Sequence, residues 1–190
     1  MAGGWWAASY VVLWILVILL TILVVALARQ VGVLHLRLGP RGALEIDEEG
    51  PPLGEAPPPV NGTDTEGRAV TIGGPGQGQL VLFVSPECSL CRTVLPSLPV
   101  AARAAGLTPR VVMDAPAAGE TDHEVGPDVP VVPDPLLAEA YRIPGTPYVV
   151  AIDAAGVVRA KGTVNNLEQM EGLVDTARRR IAGAVPHTLS

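Results

Sequence analysis

Leu80-Val81-Leu82-Phe83-Val84-Ser85-Pro86-Glu87-Cys88-Ser89-Leu90-Cys91-Arg92-Thr93-Val94-Leu95-Pro96 is the stretch that decides the fold. Leu80 to Val84 run without a polar break and are bounded by turn-forming residues. That pattern predicts a central strand buried on both faces. A helix is expected to begin around Cys88 and run towards Ala105, with Pro96 breaking its hydrogen bonds and kinking it, and Gly106 ending it. The two cysteines then fall where a buried strand gives way to a helix. The thiolate is the reactive form of cysteine, and a helix N-terminus favours that negative charge. Cys88 would stand at the open end as the attacking thiol. Cys91, one turn on, would be more covered and would resolve the mixed disulfide.

Other readings of the pair are open. These are the only two cysteines, too few for a disulfide scaffold or a four-cysteine zinc site. A static disulfide would close a very small loop and contribute little as a staple. A metal ion would need both further ligands from elsewhere. His35 lies by the N-terminal apolar segment, His123 in an acidic loop-like stretch and His187 in the tail, none with ligand-pair spacing. No cofactor beyond the redox-active Cys88–Cys91 pair is expected, and no metal.

Outward from the dithiol, Arg68 to Ile72 reads as a short strand. The turn Gly73-Gly74-Pro75-Gly76-Gln77-Gly78 follows, without the Gly-Lys-Ser/Thr of a phosphate loop. Pro109 to Asp114 is a second apolar strand. Ala115 to Pro135 is acidic and rich in Pro and Gly, so no regular helix is expected over most of it. Leu136 to Tyr141 reads as a short helix. Pro147 to Ile152 and Val157 to Lys161 are strands, and the intervening Asp153-Ala154-Ala155-Gly156 makes them an antiparallel hairpin. The last helix starts after Asn165 or Asn166, with Leu167, Met170, Leu173, Val174, Ala177 and Ile181 on one face. Asn166 is suited to cap it, with Gln169 completing a capping box. Arg178, Arg179 and Arg180 suit the negative end of a helix. The order predicts an α/β fold, a mixed sheet with helices on both faces. In Gly145-Thr146-Pro147-Tyr148, a proline that opens a strand costs no sheet donor. A cis bond there would turn the chain and expose the Thr146 backbone to a peptide substrate.

Ala7 to Ala28 carries no charge and no proline. As a helix it would be roughly 33 Å long, enough for a hydrocarbon core of about 30 Å. Trp5, Trp6 and Tyr10 suit the headgroup layer at one end, and Arg29 closes the other. A cleavable signal peptide fits less well, because Met1 to Ala8 hold no Lys or Arg, although Ala26 and Ala28 could mimic a cleavage site. The expected organisation is a short tail (1–6), a transmembrane helix (7–28) and a membrane-proximal segment with a Pro/Gly-rich tether (29–60). A folded domain (61–185) and a tail (186–190) follow. Leu53 and Val60 are the expected contacts of the tether with the domain. Arg29, Arg37 and Arg41 favour a cytoplasmic domain by the positive-inside rule, whereas lasting disulfide chemistry favours the outside. The formal net charge is −6 and Lys161 is the only lysine. Without a basic patch, nucleic acid is not an expected partner.

The dithiol and the Thr146-Pro147 loop together resemble the thioredoxin superfamily. In that superfamily a cis-proline before the last strand pair faces the dithiol, and Pro147 matches it, with Thr146 preceding. Pro96 matches the proline that kinks the active-site helix. The usual Trp-Cys-Gly-Pro-Cys is here Glu87-Cys88-Ser89-Leu90-Cys91, Leu82 occupies the place of the buried aspartate, and Asp114 to Pro135 is insertion-like. Nearly the full length also resembles the MauD family of methylamine utilisation accessory proteins. The resemblance is carried by Ala28 to His35, Gly39 to Leu44, Ser85 to Cys91, Pro147 to Gly156 and Lys161 to Asn166. Ser89 departs from the proline that follows the first cysteine in that family. The resemblance implies a thioredoxin-like fold behind one transmembrane helix. It also implies a membrane-anchored thiol–disulfide oxidoreductase, with Cys88 and Cys91 catalytic and Thr146 and Pro147 contacting the client. The implied partners are a cysteine-containing client, namely the small subunit of methylamine dehydrogenase, a membrane redox partner and the lipid bilayer, with the domain outside the cytoplasm. The alternatives are an extracytoplasmic reductase of the cytochrome-maturation type and a non-catalytic tethered assembly factor.

Overall fold

The structure, a computed structural model, describes residues 3–37, 49–116, 126 and 128–184. The chain divides into two compact units, residues 1–40 and 41–190. The first contains one helix, α1 (Gly3–Arg37). Its segment Gly4–Val25 is long and apolar enough to cross a membrane, by length and composition. Within it the Ser9 hydroxyl donates to the carbonyls of Trp5 and Trp6, and that of Thr21 to Val17. These polar side chains are satisfied inside the helix.

The second unit is built on a five-stranded mixed sheet, in the order β5-β4-β3-β6-β7. The strands are β3 (Gln79–Val84), β4 (Thr108–Met113), β5 (Val131–Pro133), β6 (Tyr148–Ile152) and β7 (Val158–Thr163). β3 pairs parallel with β4 and antiparallel with β6, β4 pairs parallel with β5, and β6 pairs antiparallel with β7. Every residue of β3 is buried. Leu80, Leu82 and Val84 join one core cluster, and Val81 and Phe83 the other. A strand covered on both faces has no polar side to show, which is why its sequence reads as an unbroken apolar run.

The first cluster is closed by α2 (Ser89–Val94), a 3-10 turn (Leu95–Ser97), α3 (Leu98–Ala104) and α5 (Leu167–Ala184). The single kinked helix expected from Cys88 to Ala105 is thus three pieces. Pro96 and Pro99 have no N–H to donate to the preceding turn, and the chain tightens between them. The second cluster takes in α4 (Pro135–Ala140) and β2 (Ala69–Ile72). β2 pairs with β1 (Val60–Thr63) as an antiparallel hairpin. Neither β1 nor β5 is expected from the sequence. Both are short, and Gly62, Pro130 and Pro133 hide any alternation.

The stretch before β1 also packs on this unit. Leu53 and Val60 lie against the second cluster. The Gly54 N–H donates to the Val158 carbonyl and the Val158 N–H to that of Glu55. The Glu49 carbonyl accepts from Tyr148 Oη (3.1 Å) and from Lys161 Nζ (2.6 Å). The Gly-rich turn meets the β6–β7 turn backbone to backbone, since a Cβ on Gly156 (φ +84°) would fall 2.8 Å from the Gly74 carbonyl carbon. Asn166 caps α5 through Gln169 N–H (2.9 Å), and the Gln169 carboxamide oxygen accepts from Asn165 N–H (2.7 Å). Met170, Leu173, Val174 and Ala177 are buried, whereas Leu167 at the open end of the helix is 47 % exposed. Arg178 and Arg179 pair with Asp175 rather than with the helix end. His123 and His187 lie outside the described residues.

Candidate active site

β3 delivers the chain to the site. It ends at Val84, and the Cys88 N–H donates to the Ser85 carbonyl (3.1 Å), closing a turn over Pro86 and Glu87. Cys88 is the N-cap of α2, with extended backbone (φ −78°, ψ 100°), and its Sγ accepts from the Cys91 N–H (3.1 Å). A cap residue supplies acceptors to the donors of a helix end, and here the Cys91 N–H is shared between the sulfur and the carbonyl (3.2 Å) of Cys88. Cys88 and Cys91 form a disulfide across a Cα–Cα distance of 5.3 Å. The two sulfurs differ in surroundings. Cys91 is fully buried in the cluster that also holds Leu82, Val84, Val94 and Leu98, while Cys88 is only partly buried at its margin. Glu87, Ser89, Leu90 and Arg92 face outward.

Pro147 and Thr146 come to the same end of the sheet. The Thr146–Pro147 bond is cis. Pro147 is buried, and its carbonyl accepts from the Val164 N–H (3.3 Å). Thr146 is half-buried, and its Oγ1 meets Ser85 Oγ at 3.0 Å. Among the described residues the Thr146 main chain has no hydrogen-bonding partner. Ser85 is the residue that reading the sequence missed. Its contact spans 61 positions, and a lone serine after a strand carries no signal of it.

Charged groups elsewhere in the core serve the fold. Burial raises the Asp64 carboxyl, but the Arg68 N–H and guanidinium and the Glu66 N–H outweigh it and hold the group below its ordinary value. Asp153 behaves alike: burial is opposed by the Val157 N–H, the Arg159 guanidinium and the Ala155 N–H, and the net shift is downward. Burial pushes the Tyr141 phenol up to about 12. Leu82, in the place of the thioredoxin aspartate, is fully buried in the same cluster as Cys91. No carboxylate is therefore offered to the dithiol from that position. Among the described residues no group of three or more His, Cys, Asp or Glu could hold a metal ion.

No family model matches the chain. The fold is similar to the thioredoxin domain of a thiol-disulfide oxidoreductase from Bacteroides vulgatus, at 22 % identity and TM-score 0.51, covering 66 % of this chain and 97 % of that one. It is also similar to a thiol:disulfide interchange protein from Bacteroides sp., at 22 % identity and TM-score 0.52, covering 72 % and 94 %. These likenesses establish a thioredoxin-like fold. A disulfide-forming pair at the strand–helix junction of such a fold supports thiol–disulfide oxidoreductase activity. In sequence, the chain is 35 % identical over 184 residues to methylamine utilization protein MauD of Paracoccus denitrificans, covering 92 % of this chain and 90 % of the relative. It is 34 % identical over 186 residues to the MauD of Methylorubrum extorquens, covering 92 % and 88 %. With such identity over nearly the whole of both sequences, the chain belongs to the MauD family.

Proposed function

We propose that this protein is a membrane-anchored thiol–disulfide oxidoreductase that forms or rearranges disulfides in a protein client outside the cytoplasm. The observation that carries the reading is the asymmetric Cys88–Cys91 disulfide, with one sulfur at the rim and the other sealed in the core. A client thiolate attacks Cys88 Sγ, the Cys88–Cys91 bond breaks, and Cys91 leaves as the thiolate. A second client thiolate then attacks the client sulfur of the mixed disulfide and expels the Cys88 thiolate. The client dithiol has given up two electrons and two protons, and the enzyme dithiol holds them. A redox partner in the membrane takes them back and restores the disulfide. In isomerisation the reduced enzyme starts the cycle, with the Cys88 thiolate attacking a client disulfide. The unpaired Thr146 main chain supports pairing with an extended client segment beside the dithiol.

The family points to the client. The relatives are methylamine utilization proteins, and the cysteine-rich small subunit of methylamine dehydrogenase is the client this reading assigns. The test uses the full chain in detergent. Oxidised protein should convert reduced, unfolded small subunit to its disulfide form, and Cys88→Ser should abolish the conversion. Conversion that survives Cys88→Ser would sink the enzymatic reading in favour of a holding role. A redox potential near about −120 mV would fit an oxidant, and one near about −270 mV would overturn oxidation in favour of reduction.

A further inference from the structure

Tyr148, the first residue of β6, is the register partner of Phe83 in β3. The segments that continue past these partners, Val84-Ser85 and Thr146-Pro147, therefore leave the sheet side by side. Ser85 reaches two different groups of the site. Its carbonyl accepts from the Cys88 N–H at 3.1 Å, and its hydroxyl meets the Thr146 hydroxyl at 3.0 Å. A single residue thus ties the disulfide's outer cysteine to Thr146, whose main chain has no hydrogen-bonding partner among the described residues. Each hydroxyl can donate or accept, so the link holds in either direction.

We infer that the Ser85–Thr146 hydroxyl pair is a positioning device for client exchange. It fixes the Thr146 main chain relative to the Cys88 sulfur, so that a peptide paired with that main chain brings its own sulfur into line with the disulfide. This rests on the reading that the Cys88–Cys91 pair exchanges with a protein client. Attack on a disulfide is directional, and a misplacement of about 1 Å can cost up to about 100-fold in rate. A small dithiol has no main chain to pair and orients itself, so it does not need the link. Ser85→Ala keeps the carbonyl contact to Cys88 and deletes the hydroxyl, and the double variant with Thr146→Val separates the loss of the Thr146 contact from any other loss at Ser85.

The experiment compares two substrates on full-length oxidised protein in detergent. One is an extended peptide with two cysteines and a fluorophore–quencher pair, and the other is dithiothreitol. Ser85→Ala should lower kcat/KM for the peptide by about 3–10-fold, the worth of one such hydrogen bond. Turnover of dithiothreitol should stay within about twofold, which also reports that the variant is folded, and the redox potential of the pair should not move. Ser85→Thr should restore the peptide rate. Thr146→Val combined with Ser85→Ala should be no worse for the peptide than Thr146→Val alone. A wild-type peptide rate for Ser85→Ala, or equal losses with both substrates, would overturn the positioning role. Wild-type protein that oxidises dithiothreitol but not the peptide would overturn the client reading itself, and the inference with it.

Discussion

The chemistry of this protein turns on a difference between two sulfurs three positions apart, on the only two cysteines of a chain of 190 residues. Cys88 caps a helix at the rim of the core and Cys91 lies within it. A thiol-reactive probe should therefore modify Cys88 first when the protein is reduced, by at least about tenfold if exposure governs the rate. Cys91→Ser, whose Cys88 thiolate can still attack a client disulfide, should accumulate clients as mixed disulfides on Cys88, because the neighbouring thiol that would release them is gone. Peptide mapping after brief alkylation, and non-reducing electrophoresis of the variant, check the two halves. Dominant labelling of Cys91 would reverse the roles. The apolar Leu82 bears on the same chemistry. Leu82 offers no carboxylate to take the Cys91 proton during turnover.

The elements show what a sequence can and cannot announce. β3, β6, the hairpin turn and the start of α5 are legible because each carries its own local physics: a two-faced apolar run, a Pro-led strand, a four-residue gap ending in glycine, an Asn cap with Gln three residues on. The dithiol is legible for the same reason. β1 and β5 are not, since strands of three or four residues broken by Gly or Pro offer no period to read, and they exist because neighbouring backbone needs partners: Thr65 N–H donates to the Val131 carbonyl beside the paired β4 and β5. The Ser85–Thr146 contact is illegible in principle, being tertiary and non-periodic. The β6–β7 turn carries a pH prediction. Asp153 has its carboxyl held below the ordinary 3.8 by the hydrogen bonds and the Arg159 guanidinium that overcome burial. A depressed folded pKa means its stabilisation is complete above the unfolded value, and is lost as pH falls through the folded one. Asp153→Asn should lower the thermal midpoint by a few degrees near neutral pH, and the gap to wild type should close as the pH falls through and below the ordinary carboxyl value of 3.8. A gap that stays constant through that range would show that the charge is not what holds the turn.

For the whole molecule, two physical rules disagree about the side on which the proposed membrane anchor would place the dithiol. Arg29, Arg37 and Arg41 follow the apolar segment, while Met1 to Ala8 supply no Lys or Arg, and the loop-charge rule would keep that arginine side in the cytoplasm. The other rule is chemical. A disulfide poised to exchange with a client is kept reduced by the thiol buffers of the cytosol, whereas outside the membrane it persists and can turn over. The charge rule weakens when a folded domain follows, because long segments translocate largely regardless of their charge. The domain here, from Glu49 onward, is such a segment. We therefore expect the domain outside and Gly4–Val25 retained as its anchor. The two cysteines make the test clean, since both belong to the site and any cysteine label reports on the domain. Intact cells, treated briefly with an impermeant reductant and then an impermeant maleimide, should label the full-length chain as strongly as permeabilised cells do. The mass of the labelled protein should include the apolar segment. Labelling that appears only after permeabilisation would put the domain inside, and with it the arginines would have prevailed. A mass lacking the first 26 to 30 residues, a range set by a cut near Ala26 and Ala28, would show the segment to be a cleaved leader rather than an anchor.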